Sequence, residues 1–135
     1  MISLILFFCS DLQRLYKTGE IAFVDRNIPV IRDMRLRECN YGDLTKRPSG
    51  EVESAKVEHI IVPFPNGESY EMSAARMRDF LEDLLRDYEG KKVMIIGHRA
   101  TQYGLEYWIK KIGLEESVIA TWKWQPGWTY ILEKI

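Results

Sequence analysis

The chain has 135 residues, 46% of them hydrophobic and 29% charged, which suits one globular domain with a sizeable core and excludes a low-complexity or disordered chain. Basic and acidic residues nearly balance (19 against 20), so the net charge is −1 and no basic field exists to attract nucleic acid or an anionic membrane. No run approaches the ~18 apolar residues of a membrane span, and the two cysteines, Cys9 and Cys39, are too few for a disulfide framework. The apolar start, Ile2 to Phe8, has no basic leader and no small-residue cleavage site behind it. It reads as structure rather than as a secretion signal, and the expected location is the cytoplasm.

Taken in order, Ile2 to Cys9 reads as a buried strand, with Cys9 as a core residue. Ser10 and Gln13 have the spacing of a capping box, and Leu12, Leu15, Tyr16, Ala22 and Phe23 keep helical spacing behind it. Arg14 falls in the first turn of that helix, where a bound anion would suit the cation better than the bare helix terminus does. An extended segment is expected from Pro29 to Arg37, where Met34 and Leu36 alternate with two arginines, and Glu38 closes it before a turn at Tyr41-Gly42-Asp43.

Residues 45–66 form a polar, Pro- and Gly-punctuated excursion, read as a lid-like surface segment with some local helix, and His59 within it as a surface residue. Ser69 caps the next helix, whose core stripe is Met77, Phe80, Leu81, Leu84, Leu85 and Tyr88, closed by Gly90. The four apolar residues Val93 to Ile96 then read as a strand buried on both faces, ending at Gly97-His98 where a third helix starts at about Thr101. A strand end feeding a helix start is where open α/β sheets bind anions. Leu105, Trp108, Ile109 and Ile112 make that helix's stripe, with Gly113 as its stop. The tail is expected to give two strands, Val118 to Trp124 and Trp128 to Leu132, joined as a hairpin at Gln125-Pro126-Gly127.

Four pieces carry a resemblance. They are Ser10-Asp11-Leu12-Gln13-Arg14 opening a helix, Leu36-Arg37-Glu38 followed by Tyr41-Gly42, Gly67-Glu68-Ser69-Tyr70 opening a helix, and Ile96-Gly97-His98. In this order the chain resembles the histidine phosphatase superfamily, the phosphoglycerate mutase-like phosphatases, from about Phe8 to the C-terminus. The resemblance implies an α/β, three-layer α/β/α fold with a mixed sheet in the order 3-2-4-1-5-6, a phosphate or phosphorylated small molecule as ligand, and neither metal nor cofactor. It implies that Arg14 and His98 hold the phosphoryl oxygens and that Glu38 is the proton donor. Arg99 stands where the family usually has a small residue, as a further phosphate-side group that either crowds or reinforces the site. Phosphoryl transfer needs such cations around the equatorial oxygens and an acid for the leaving oxygen. Glu68 and Ser69 read as helix-start residues.

The family's nucleophile is a histidine in an Arg-His-Gly motif, which does not occur here; the histidines are His59 and His98. The expectation is therefore a single truncated domain over residues 1–135, lacking the family's first strand, with a partial phosphate site and no phosphohistidine chemistry. Two alternatives stand beside it. One is an active phosphomonoesterase whose histidine comes from an upstream segment or another chain. The other is a self-associating scaffold. The missing central strand leaves two outcomes, the tail hairpin sliding over to pair with the Val93 strand or two chains exchanging their hairpins. The exchange, and with it a homodimer, is the favoured expectation because of the Trp122, Trp124 and Trp128 cluster.

Overall fold

The structure is a computed structural model, describing residues 6–11, 17, 20–21, 28–121, 123 and 125–135. Its centre is a parallel sheet of three strands, β1 (Leu6–Cys9), β2 (Val30–Arg32) and β3 (Val93–Ile96), in the spatial order β2-β1-β3. Phe8 stands opposite Ile31 on one side and Ile95 on the other. The ladder runs on past the strand ends, with the Ser10 N–H donating to the Ile96 carbonyl (3.1 Å) and the Asp33 N–H to the Cys9 carbonyl (2.9 Å). β1 is apolar throughout because it is central and buried on both faces, as parallel strands are. This reproduces the expected order of the second, third and fourth family strands.

Four helices accompany the sheet among the described residues: α1 (Ser49–Ala55), α2 (Tyr70–Asp87), α3 (Arg99–Lys110) and α4 (Leu114–Ile119). Lys17, Glu20 and Ile21 are helical too, in the stretch expected to form the first helix. Gln13, the partner of Ser10 in the expected capping box, and Arg14 lie outside the described residues. Alternate residues of β1 serve separate cores. Leu6 and Phe8 pack with Met77, Phe80 and Leu81 of α2 and Leu105 of α3, whereas Phe7 and Cys9 face Ile28, Val30 and Ile96. Helix α2 starts as expected, Ser69 Oγ accepting the Met72 N–H at 3.1 Å. Trp108 joins α3 to α2 through its indole N–H, which donates to the Ala74 carbonyl at 2.7 Å. No helix among the described residues is long and apolar enough to cross a membrane.

Four expectations need correction. The first is β3, which is not buried on both faces: Val93, Ile95 and Ile96 are half-buried and Met94 is exposed, with no strand beyond β3 among the described residues. The extended segment is strand only over Val30–Arg32, and Met34–Leu36 is a 3-10 turn. Asp33 explains this: its carboxylate caps the Arg35 N–H (2.9 Å), and its carbonyl accepts from Leu36 (3.1 Å). Helix α3 stops at Lys111, which takes the left-handed conformation (φ 60°), not at Gly113. Among the described residues the tail forms no hairpin. Val118 and Ile119 belong to α4, because Leu114 and Val118 share one buried helical face and Glu115 and Glu116 suit its first turn. Residues 125–135 contain no strand, and the described sheet has no antiparallel member. Tyr130, Leu132 and Ile135 instead pack on the α2–α3 core, with the Tyr130 hydroxyl donating to Glu106 at 2.7 Å. Trp122 and Trp124 lie outside the described residues, and the exchange of hairpins loses its element.

Phe80 ties this core together, edge-on to Phe8 at 5.2 Å. Phe80→Ala should lower the unfolding free energy by about 3–5 kcal/mol, as full aromatic truncations in cores do. Urea unfolding at neutral pH measures it, and a loss below about 1 kcal/mol would contradict the packing described.

Candidate functional site

At the carboxyl edge of the sheet, β3 leads through Gly97 to His98, the N-cap of α3. The His98 N–H donates to Thr101 Oγ at 2.9 Å, and that hydroxyl donates in turn to the Leu36 carbonyl at 2.8 Å. A Cβ on residue 97 would overlap the Thr101 side chain, so only glycine lets the strand turn this tightly into the helix. Thr101 thereby joins the Gly-His segment to the Leu36-Arg37-Glu38 segment.

The Glu38 carboxylate completes the junction. Its Oε1 accepts from the Ala100 N–H (3.0 Å) and the Cys39 N–H (2.9 Å), so a carboxylate sits at the positive end of α3. The backbone carrying Glu38 is pinned from α2. All five N–H groups of the Arg76 guanidinium are used: on the carbonyls of Arg35, Arg37 and Glu38 at 2.8–3.0 Å, and as a fork on the Glu68 carboxylate at 2.8 and 3.0 Å. Burial alone would raise the Glu68 carboxyl, but Arg76 and the Asn40 N–H outweigh it and hold it below the ordinary carboxylate value. Glu68 thus clamps the segment that presents Glu38, while Ser69 is the helix cap.

The other motifs close around the same point. The Glu68 N–H donates to the Asn40 carbonyl (2.8 Å) and the Asp43 N–H to the Pro65 carbonyl (2.9 Å). Gly42 has φ +54°, and a Cβ on it would run into the Pro65 carbonyl, which is why a glycine stands there. This clamp brings Tyr41, Phe64 and Tyr70 together edge-on, and Tyr70 meets Tyr103 of α3 at 5.7 Å between ring centroids. The Tyr70 hydroxyl is buried. Burial first, then the neighbouring Tyr41 and Glu38, push its ionisation far above the usual range. Arg37 points the other way, its Nε donating to Asp11 at 2.7 Å, and holds that carboxyl low.

The excursion is folded against α3. Glu53 of α1 accepts from Arg99 at 3.0 Å, Lys56 is buried with its Nζ 3.3 Å from the Tyr103 hydroxyl, and Phe64 is fully buried. His59 stacks on Phe64 at 4.1 Å between centroids, and its Nδ1 lies 3.0 Å from the Val62 carbonyl. Cys9 is in the core as expected, its thiol pushed up by burial first. Cys39 is pushed up to about 12, mainly by burial. Neither is poised as a thiolate. No cluster of metal-binding side chains occurs among the described residues.

The family model of the histidine phosphatase superfamily (branch 1) matches residues 2–124. The chain belongs to that superfamily. It is 39% identical over 87 residues to a fructose-2,6-bisphosphatase TIGAR of Xenopus tropicalis, covering 58% of this chain and 32% of that protein. It is 29% identical over 96 residues to an uncharacterized phosphatase PhoE of Bacillus subtilis (strain 168), covering 71% of this chain and 48% of that one. The chain therefore spans between a third and a half of the curated relatives it matches. Among solved structures, Bacillus stearothermophilus YhfR superposes with a TM-score of 0.72 at 23% identity, over 96% of this chain and 65% of that one. A mycobacterial glucosyl-3-phosphoglycerate phosphatase superposes with 0.71 at 22%, over 85% of this chain and 62% of that one. These likenesses show the histidine phosphatase fold.

Of the residues expected at the site, Glu38, His98 and Arg99 lie around the first turn of α3, with Arg99 held by Glu53. Sequence reasoning passed over Arg76, Thr101 and Glu53. Thr101 had a local signal, as a hydroxyl three residues after an N-cap. Arg76 had none, because its backbone partners lie 38 to 41 residues away.

The clamp has a pH signature. A carboxyl held below its unfolded value near ~4.3 stabilises the fold above that value, and the contribution is lost as pH falls through the depressed one. Arg76→Met should therefore lower stability at neutral pH by about 2–3 kcal/mol. It should also flatten the loss of stability on acidification below ~4. Urea unfolding of both proteins at neutral and acid pH measures this, and equal acid losses would contradict it.

Proposed function

We propose that this histidine phosphatase domain binds phosphate or a phosphorylated small molecule at the first turn of α3 and, as a chain without a nucleophilic histidine, does not hydrolyse it. The observation that carries the reading is the convergence of Glu38, His98 and Arg99 on one helix N-terminus, where the Ala100 N–H already holds an anionic group, the Glu38 carboxylate. In this reading His98 and Arg14 contact the phosphoryl oxygens, Arg99 supports them from the rim, and Glu38 is the acid for the leaving oxygen. Both described bonds to the Glu38 carboxylate fall on Oε1, which leaves Oε2 for a proton. The same fold in the mycobacterial glucosyl-3-phosphoglycerate phosphatase has been solved with inorganic phosphate and with VO3, which supports an anion as ligand. Two buried free cysteines support a reducing compartment, the cytoplasm.

Phosphate at millimolar concentration should raise the melting temperature by mass action, and the shift should vanish in Arg14→Ala and His98→Ala. p-Nitrophenyl phosphate should be hydrolysed at background only. Turnover abolished by His98→Ala would instead establish the active alternative, with a nucleophile from another segment or chain.

One observation favours a second role, self-association. β3 pairs with β1 on one side and has no strand on the other among the described residues, although its sequence is Val-Met-Ile-Ile and Met94 is 42% exposed. Open apolar edges recruit partners, and the simplest is a second copy. Sedimentation should give a homodimer at micromolar concentration, and a charge on the edge, Met94→Lys, should dissociate it. A monomeric wild-type chain would remove this role.

A further inference from the structure

The geometry points to Glu53 as a built-in competitor for the anion at α3, holding Arg99 until a phosphate dianion replaces it; this deepens the phosphate-binding reading and rests on it. Arg99 is the first residue of α3, beside the His98 N-cap. Its Nη1 donates to Glu53 Oε1 at 3.0 Å, and the same oxygen lies 3.2 Å from Lys56 Nζ. One carboxylate oxygen from α1 thus bridges two cations.

The two halves of the bridge are unequal. Lys56 is 4% exposed and packed over the Tyr103 ring, with the Tyr103 hydroxyl as its other polar neighbour. A buried ammonium stripped of its anion is strongly disfavoured, so Glu53 stays with Lys56. The Arg99 side chain is 38% exposed and that of Glu53 54%, which makes their pair one of the weakly contributing kind. Arg99 can leave without stranding Glu53; Lys56 cannot.

What Arg99 gains by leaving depends on the ligand. A phosphate dianion offers a planar guanidinium two oxygens at once, next to the N–H groups of the α3 terminus. A monoanion offers one charge, no more than Glu53 already supplies. With Glu38 also seated on the Ala100 N–H, two of the chain's own carboxylates stand at this terminus. The ligand must outcompete the nearer carboxylate, and Glu53 thereby selects for the doubly charged phosphate group.

The test is a double-mutant cycle with inorganic phosphate under mildly alkaline conditions, its affinity measured by calorimetry on the full chain, E53Q, R99A and E53Q/R99A. E53Q should bind phosphate roughly 2- to 5-fold tighter than the wild type, from release of a half-exposed ion pair. The gain should disappear when Arg99 is also removed. Equal affinity of E53Q and wild type overturns the inference. So does a gain that persists in the R99A background, since that would be a general charge effect. Should E53Q not fold, R99A decides, because unchanged phosphate affinity there removes Arg99 from the site. Wild-type binding lost in His98→Ala but indifferent to Glu53 defeats this inference alone. Absence of phosphate binding in every variant defeats both it and the phosphate-binding reading.

Discussion

The site depends on one guanidinium. Arg76 spends all five of its donors within a few residues, on three carbonyls of the 35–38 segment and on Glu68. Carbonyls in a 3-10 turn and the irregular backbone after it have no ladder to satisfy them, and a half-buried carbonyl without a donor is unfavourable by ~1–3 kcal/mol. Only a planar fork meets three of them together with a carboxylate; a lysine ammonium has three donors and no fixed plane. Because Arg76 projects from α2, which packs on β1 through Met77, Phe80 and Leu81, the position of Glu38 is referred back to the core. The loop is irregular, yet it is not loose.

A second constraint follows at α3. Helix N-termini leave backbone N–H groups unsatisfied, and this one meets them with Thr101 and with Glu38. The carboxylate thereby stabilises the fold while occupying the end of the helix best suited to an anion. Arg99 shows the same pattern at the rim, neutralised by Glu53. In the proposed reading, an anion at this helix end is bound against these internal competitors.

Much of this was legible in the sequence because the signals were local. The buried run of β1, the Ser69 cap, the α2 stripe and the Gly97-His98 junction each follow from residues within a turn or two of one another, and the sheet order came with the family resemblance. What was not legible depended on distant partners. Met34 and Leu36 alternate as in a strand, but the Asp33 cap bends the chain into a turn that Arg76 then holds. Val118 and Ile119 have β-branched side chains, yet the Leu114–Val118 spacing and a buried face won, and the chain made a helix. Tyr130, in the stretch that read as a strand, packs on α2 and α3 instead. Glu53, in a polar stretch with no motif, acquires its meaning only when α1 docks beside Arg99.

These observations separate binding from chemistry in this fold. The groups proposed to hold a phosphate are referenced to three places: the core through Arg76, the α3 terminus through Thr101, and the excursion through Glu53 and the buried Lys56. None of the three uses the outer edge of β3, whose backbone groups have no strand partner among the described residues. A nucleophile must reach phosphorus in line with the leaving oxygen, so it has to come from a further element with its own anchoring. The groups around the first turn of α3 therefore assemble without that element. In the proposed reading, recognition persists without chemistry because the two are held by different parts of the fold.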